Sequence, residues 1–284
     1  MNTDQSQGRT LVVLGMHRSH TSFLASWLHS MGLFLGERLM PPDPIGNPKG
    51  YFEDLEIVSL HDEILETNNT DALSIVPENL SIPEEIRQQV RELVTSRTSA
   101  HKQWGWKDPR TCLFFNDLWK KELENPFIIV TYRHYADVVS SLTNRENNIE
   151  HLKWMRSNRH LSETAFSRFF RYYPAKLGHL RHLRLESSQL RSDSLSMWLQ
   201  YNRRCIECIE SLGRDNAMVI RLEDLLANSI DIYEKMSKQW NFGLNYKDPS
   251  ELLSGRPNPR TNHRVQSNEA DNLWIELNNL NYFL

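Results

Sequence analysis

Cysteine is scarce in this chain, with 3 in 284 residues. Cys112, Cys205 and Cys208 are too few and too unevenly placed for a disulfide framework. Cys205 and Cys208 form a lone C-x-x-C inside a stretch of helical periodicity, with no second pair to complete a zinc site. They read as two small residues on one helix face, and no metal is expected. Long apolar runs are also missing. The first one, after the polar MNTDQSQGRT, is too short and wrongly flanked for a signal peptide or a spanning helix, so the expectation is a cytoplasmic protein with no membrane partner. The net charge of −3 gives no reason to expect bulk binding to nucleic acid. Internal repeats, low-complexity tracts and long linkers are absent. A composition of 39% hydrophobic and 24% charged residues is that of an ordinary globular chain, read here as a single domain over 1–284.

What the chain does have is concentrated in Thr10–Ser22, TLVVLGMHRSHTS. A β-branched apolar run leads directly into a polar turn and then a helical pattern, FLASWLHSMG. Strand, loop and helix N-terminus in that order aim backbone N–H groups and the positive end of the helix dipole at one point, and the usual guest there is a phosphate or sulfate. Against the pattern G-x-x-x-x-G-K-[ST], Gly15 and Ser22 fall in place, but His20 takes the second glycine position and Thr21 the lysine position. The lysine of an ATPase loop is therefore missing, and no strand ends in a clear Walker B aspartate, which ranks a P-loop kinase low. What remains is an anion cradle from Gly15 and Met16 through His17, Arg18, Ser19 and His20 to Thr21 and Ser22. Its basic group is Arg18. A histidine where positive φ is required costs about 1–2 kcal/mol, so three outcomes are open for His20: it points away, it hydrogen-bonds the bound anion, or it blocks the site.

The strongest strand candidates are Leu11–Leu14, Phe127–Tyr132 and Ala217–Leu222, with Trp104–Lys107 as a shorter fourth. Apolar strands without alternation, separated by helical patterns, predict an α/β fold with a parallel sheet flanked by helices on both faces. Charged residues just past the strand ends lie where such folds bind ligands. Between Arg145 and Arg204 the character changes to twelve Lys or Arg against five Asp or Glu. This stretch also carries His151, His160, His179, His182 and aromatics such as Trp154, Phe166, Phe169, Phe170, Tyr172 and Tyr173. It reads as a mostly helical basic region, either lining a path for an anionic substrate or simply solvated.

Several further segments carry chemistry. In FIIVTYRHYADVVSSL, Arg133 ends a strand and Ser141 follows eight residues later, so the two meet at one anion only if the connection bends back. In GNPKGYFEDLEIVSLHDEIL a constrained turn delivers Glu53 and Asp54 to a helix start, where carboxylates serve as caps or, for Glu53, as a general base. His61, two turns on, is the second candidate base. In WGWKDPRTCLFFNDLW, Lys107 lies at a strand end beside tryptophans. There it acts on an anion in a desolvated site, or it stands exposed next to an Asp108–Arg110 ion pair. The late loop RPNPRTNHR offers Arg256 and Arg260.

These residues, taken together and in order, resemble the sulfotransferases, in particular the bacterial type whose phosphosulfate loop reads G-M-x-R-S-G-T-S. The resemblance runs from Leu11 to about Arg264 and implies a P-loop NTPase-like sulfotransferase fold. It further implies 3′-phosphoadenosine 5′-phosphosulfate (PAPS) as co-substrate, with a small-molecule, glycan or peptide acceptor. By the same resemblance the loop from Gly15 to Ser22 holds the 5′-phosphosulfate, and Arg133 and Ser141 hold the 3′-phosphate. Arg256 and Arg260 cover the nucleotide, Arg18 and Lys107 neutralise the leaving oxygen, and Glu53 takes the acceptor proton. His20 departs from the family's glycine, which leaves a non-catalytic nucleotide-binding protein of the same fold as the alternative.

Overall fold

The computed structural model describes residues 8–43, 47–158, 173–253 and 265–284. Strand β1 (Arg9–Leu14) leads into helix α1 (Thr21–Ser30), followed by α2 (Leu55–Thr67), α3 (Glu84–Ala100) and β2 (Gln103–Lys107). A short helical stretch comes next, α4 (Thr111–Phe114) and α5 (Lys120–Glu122) joined by a π-helical turn, Phe115–Trp119. Then follow β3 (Phe127–Thr131), α6 (Tyr135–Ser157), α7 (Tyr173–Leu212), β4 (Ala217–Ile220), α8 (Leu222–Ala227), α9 (Ser229–Glu234) and α10 (Asn268–Leu280).

The strands form one four-stranded sheet of order β2-β1-β3-β4, parallel throughout. Both of its faces are covered. Val12 and Leu14 point into one core with α2, α3, α6, α7 and α10, while Leu11 and Val13 point into the other with α1, α8 and α9. That is why the strands read as unbroken apolar runs. The predicted strands are present with shifted ends. β4 stops at Ile220, not Leu222, because the Arg221 N–H is taken by the Asp224 carboxylate at 2.8 Å and starts a helix there.

Helical spacing explains the flanking elements. Ile86, Val90, Leu93, Val94 and Arg97 form the buried stripe of α3. Asp54 caps α2 by accepting from the Glu56 N–H at 3.1 Å. The predicted basic region falls on α6 and α7, which pack against each other. The same two helices also bury Val138, Leu142, Trp198 and Tyr201 in the main core. His160, Phe166, Phe169, Phe170 and Tyr172 lie outside the described residues. Cys112, Cys205 and Cys208 are all buried free thiols, and burial pushes Cys112 and Cys208 well above the usual thiol range. Among the described residues no helix is long and apolar enough to cross a membrane.

Candidate anion site at the strand ends

Because the sheet is parallel, Leu14, Lys107, Thr131 and Ile220 all end at its carboxyl edge, and the loops that follow converge there. Gly15 takes φ 140°, and a Cβ on it would stand 2.3 Å from the Thr131 carbonyl oxygen, so only glycine lets β1 turn into the loop. Arg18 (φ 67°) and His20 (φ 68°) both occupy left-handed backbone. Each costs roughly 1–3 kcal/mol for a non-glycine residue, strain of a kind that concentrates at functional sites. The Ser19 N–H bonds back to the Met16 carbonyl at 3.2 Å, closing the turn. Thr21 and Ser22 open α1, where the first N–H groups have no partner within the helix.

Several polar atoms of this loop are buried without partners. His17 Nε2, Ser19 Oγ and His20 Nδ1, together with Thr131 Oγ1 beneath them, are sequestered from water and make no hydrogen bond. Buried polar groups are normally satisfied, so such a cluster around one loop calls for a ligand. The His20 side chain is half-buried, with Nδ1 closed off from water.

Cations surround the same space. Arg18 Nε donates to Ser141 Oγ at 2.9 Å. Burial first, then the like charges of Arg145 and Arg133, push the Arg18 guanidinium below its ordinary value. Arg133 pairs with Asp137 one turn on, at 3.6 Å. Arg18 thus contacts Ser141 and feels the charge of Arg133. Burial, followed by Arg133 and Arg18, lowers His20 to about 4. His17 is lowered to about 3, chiefly by burial and, among its charged neighbours, by Arg110, Lys107 and Arg145 against the opposing pull of Asp108.

Glu53 and Lys107 meet although they are 54 residues apart in sequence: Lys107 Nζ donates to Glu53 Oε1 in a buried ion pair. Lys107 is 1% exposed and Glu53 8%. The reading in which Lys107 stands exposed is therefore corrected, although the Asp108–Arg110 pair it presupposed does form. Glu53 is aimed inward by the residue before it, Phe52, at φ 57°. It is anchored by the Met40 N–H on its carbonyl at 2.7 Å. Its neighbour Asp54 is held by Arg97 at 3.0 Å. Burial raises the Glu53 carboxyl above its ordinary 4.5, with Lys107 opposing.

His61 cannot serve as the second base. Trp119 Nε1 donates to His61 Nε2 at 2.9 Å, so the ring proton sits on Nδ1 and goes to Asp108 Oδ2, also at 2.9 Å. The ring is fully buried. Its task is to hold Asp108, which also accepts from Arg110 Nε at 3.0 Å and from the Arg110 backbone N–H at 2.9 Å. Arg256 and Arg260 lie outside the described residues.

Sequence reasoning missed Arg145, Tyr51 and Thr131. Arg145 was counted only within the basic region, yet the i, i+4 spacing from Ser141 would have put both on one face of α6. Among the described residues no cluster of His, Cys, Asp or Glu is placed to hold a metal ion.

The fold has counterparts among solved structures. The sulfotransferase domain of the Synechococcus PCC 7002 olefin synthase superposes with a TM-score of 0.51 over 98% of this chain and 98% of that one, at 12% identity. The sulfotransferase domain from the curacin biosynthetic pathway gives 0.50 over 96% and 98%, also at 12% identity. This α/β chain therefore has the P-loop-like fold of sulfotransferase domains. No protein-family model and no curated protein matches it.

Proposed function

We propose that the protein is a sulfotransferase that uses PAPS as donor and a hydroxyl or amine as acceptor. The observation that carries this reading is the cluster of buried, unpartnered polar atoms on the Gly15–Ser22 loop, ringed by Arg18, Arg133, Arg145 and Lys107. The loop N–H groups and Ser19 bind the phosphosulfate, and Arg18, Ser141 and Arg133 take the 3′-phosphate end. Lys107 has three N–H donors, of which Glu53 takes one, leaving the others for the oxygen between phosphorus and sulfur. Glu53 accepts the acceptor proton as the acceptor oxygen or nitrogen bonds to sulfur. The sulfur–oxygen bond to the phosphate breaks, and 3′-phosphoadenosine 5′-phosphate (PAP) leaves. Such transfer depends on in-line positioning and charge stabilisation more than on covalent help from the protein.

Calorimetric titration with PAP tests this. Binding is expected to weaken by roughly 30-fold or more in Arg133→Ala, and to hold or tighten in His20→Gly, which relieves the left-handed strain. Absence of binding in both the native protein and His20→Gly would sink the proposal. The strain at His20 is also what favours the second reading, nucleotide retention without turnover, and metal-independent sulfate transfer from PAPS separates the two.

A proton should accompany the ligand. His17 and His20 lie at about 3 and 4 against an ordinary 6.5. A bound anion favours the charged rings and raises both values. Binding is therefore expected to take up protons and to tighten as pH falls from 6.5 toward 4. Heats measured at pH 6 in two buffers of different ionisation enthalpy read the uptake directly. Identical heats would show that neither ring faces the anion.

A further inference from the structure

Among the cations of the site, Arg145 has no adequate partner. Among the described residues its one ion pair is with the adjacent Glu146, at 3.9 Å; its Nε is buried without an acceptor and Glu146 Oε1 without a donor. Other guanidinium groups of the fold are held more closely: Arg110 by Asp108 at 2.6 Å, Arg97 by Asp54 at 3.0 Å, Arg221 by Asp224 at 3.1 Å. Arg145 stands one helical turn beyond Ser141 on the same face of α6, and Ser141 is in contact with Arg18. Its position relative to the loop can be read from what it influences. Arg18, His17 and Tyr51 all feel its charge, and for Tyr51 it is the strongest charged neighbour. Tyr51 precedes Glu53 by two residues, and its hydroxyl is already committed to Asp43 Oδ2 at 3.1 Å. Arg133 also acts on Arg18, and on His20. Arg145 thus stands between the loop, where Arg18 and His17 feel it, and Tyr51, two residues before Glu53.

We propose that Arg145 is an acceptor-binding residue and that the acceptor is an acid, a hydroxyl compound carrying a carboxylate that pairs with this guanidinium while its hydroxyl faces Glu53. The proposal rests on the sulfotransferase reading. A carboxylate is the group a guanidinium binds with two parallel hydrogen bonds, and one supplied by the acceptor fills the vacancy at Nε that Glu146 leaves open. It also offsets the repulsion between Arg145 and Arg18. A neutral acceptor would leave the buried Nε unmatched, so acids are selected over their esters.

The test uses the full chain saturated with PAP. Pairs of hydroxy acids and their methyl esters, of increasing chain length and including 4-hydroxyphenylacetate, are titrated and followed by saturation-transfer NMR and calorimetry. At least one acid is expected to bind, with its ester weaker by roughly 30-fold. Arg145→Ala should abolish that difference and Arg145→Lys should restore part of it, with PAP kept saturating for each variant. The proposal is overturned if no acid binds the PAP-loaded protein, if acid and ester bind equally, or if the preference survives in Arg145→Ala. It is also overturned if Arg145→Ala loses PAP as Arg133→Ala does. Failure of the native protein to bind PAP at all would instead remove the sulfotransferase reading on which the inference stands.

Discussion

Glu53→Gln is expected to lower kcat by about 10²–10⁴-fold while leaving PAP binding nearly intact. Glutamine keeps the shape and still accepts from Lys107, but it cannot take a proton. The same carboxyl sets the pH profile. Burial raises it above 4.5, and it works only when ionised, so the rate should rise with pH through a limb that lies above 4.5. In Glu53→Gln that limb should vanish. Initial rates with an acid acceptor from the titration series, measured from pH 4.5 to 8, check both statements. A variant within threefold of the native kcat would move the base elsewhere. Lys107 is a poor candidate for that role, because its ammonium is already donating to Glu53.

The largest effect on stability is expected at Asp108. Burial alone would raise this carboxyl, but the Arg110 guanidinium, and after it His61, outweigh burial and hold it well below the carboxylate range. Asp108→Ala strips Arg110 and His61 of their shared partner in a site closed to water. Leaving one charge of a buried pair uncompensated costs about 3–5 kcal/mol. In a chain of this length that corresponds to a fall in Tm of roughly 5–8 °C. Asp62, the other partner of Arg110, is 54% exposed, so Asp62→Ala should cost at most about 1 kcal/mol. Equal losses in the two variants, by thermal or denaturant unfolding, would refute the assignment. The sign with pH follows from the lowered value. The contribution of Asp108 is complete above its ordinary 3.8 and is lost only as pH falls through the lower folded value.

How much of this was legible in the sequence depends on distance along the chain. β1 and the loop were readable because their signals are local: an apolar strand closed on both faces, a glycine where the chain turns, hydroxyls at a helix start. Lys107 was readable as a strand end for the same reason. Its ion pair with Glu53 was not, since that depends on how Phe52 and the bridge to Met40 aim a segment 54 residues away. His61 misled because its place two turns on from Glu53 says nothing of where the indole of Trp119 delivers its proton. Arg145 was hidden by number, one basic residue among twelve in its stretch. Only the lack of an acceptor at its Nε sets it apart, and that is a property of packing.

The strand order also has a consequence for how the chain is made. β1 lies between β2 and β3, and its register joins Arg9 to Gln103 and Leu11 to Phe127, while β3 waits for Ala217. During synthesis at about 5–20 residues per second, β1 therefore spends roughly 5–20 s as an unpaired apolar segment before its first neighbour emerges. Contacts of such long sequence separation form slowly. The cradle that follows β1 is translated well before it can take shape, because its floor at Thr131 arrives with β3. Yield in the cell should accordingly respond to temperature and to chaperones that shield nascent strands more than to any single side chain of the site.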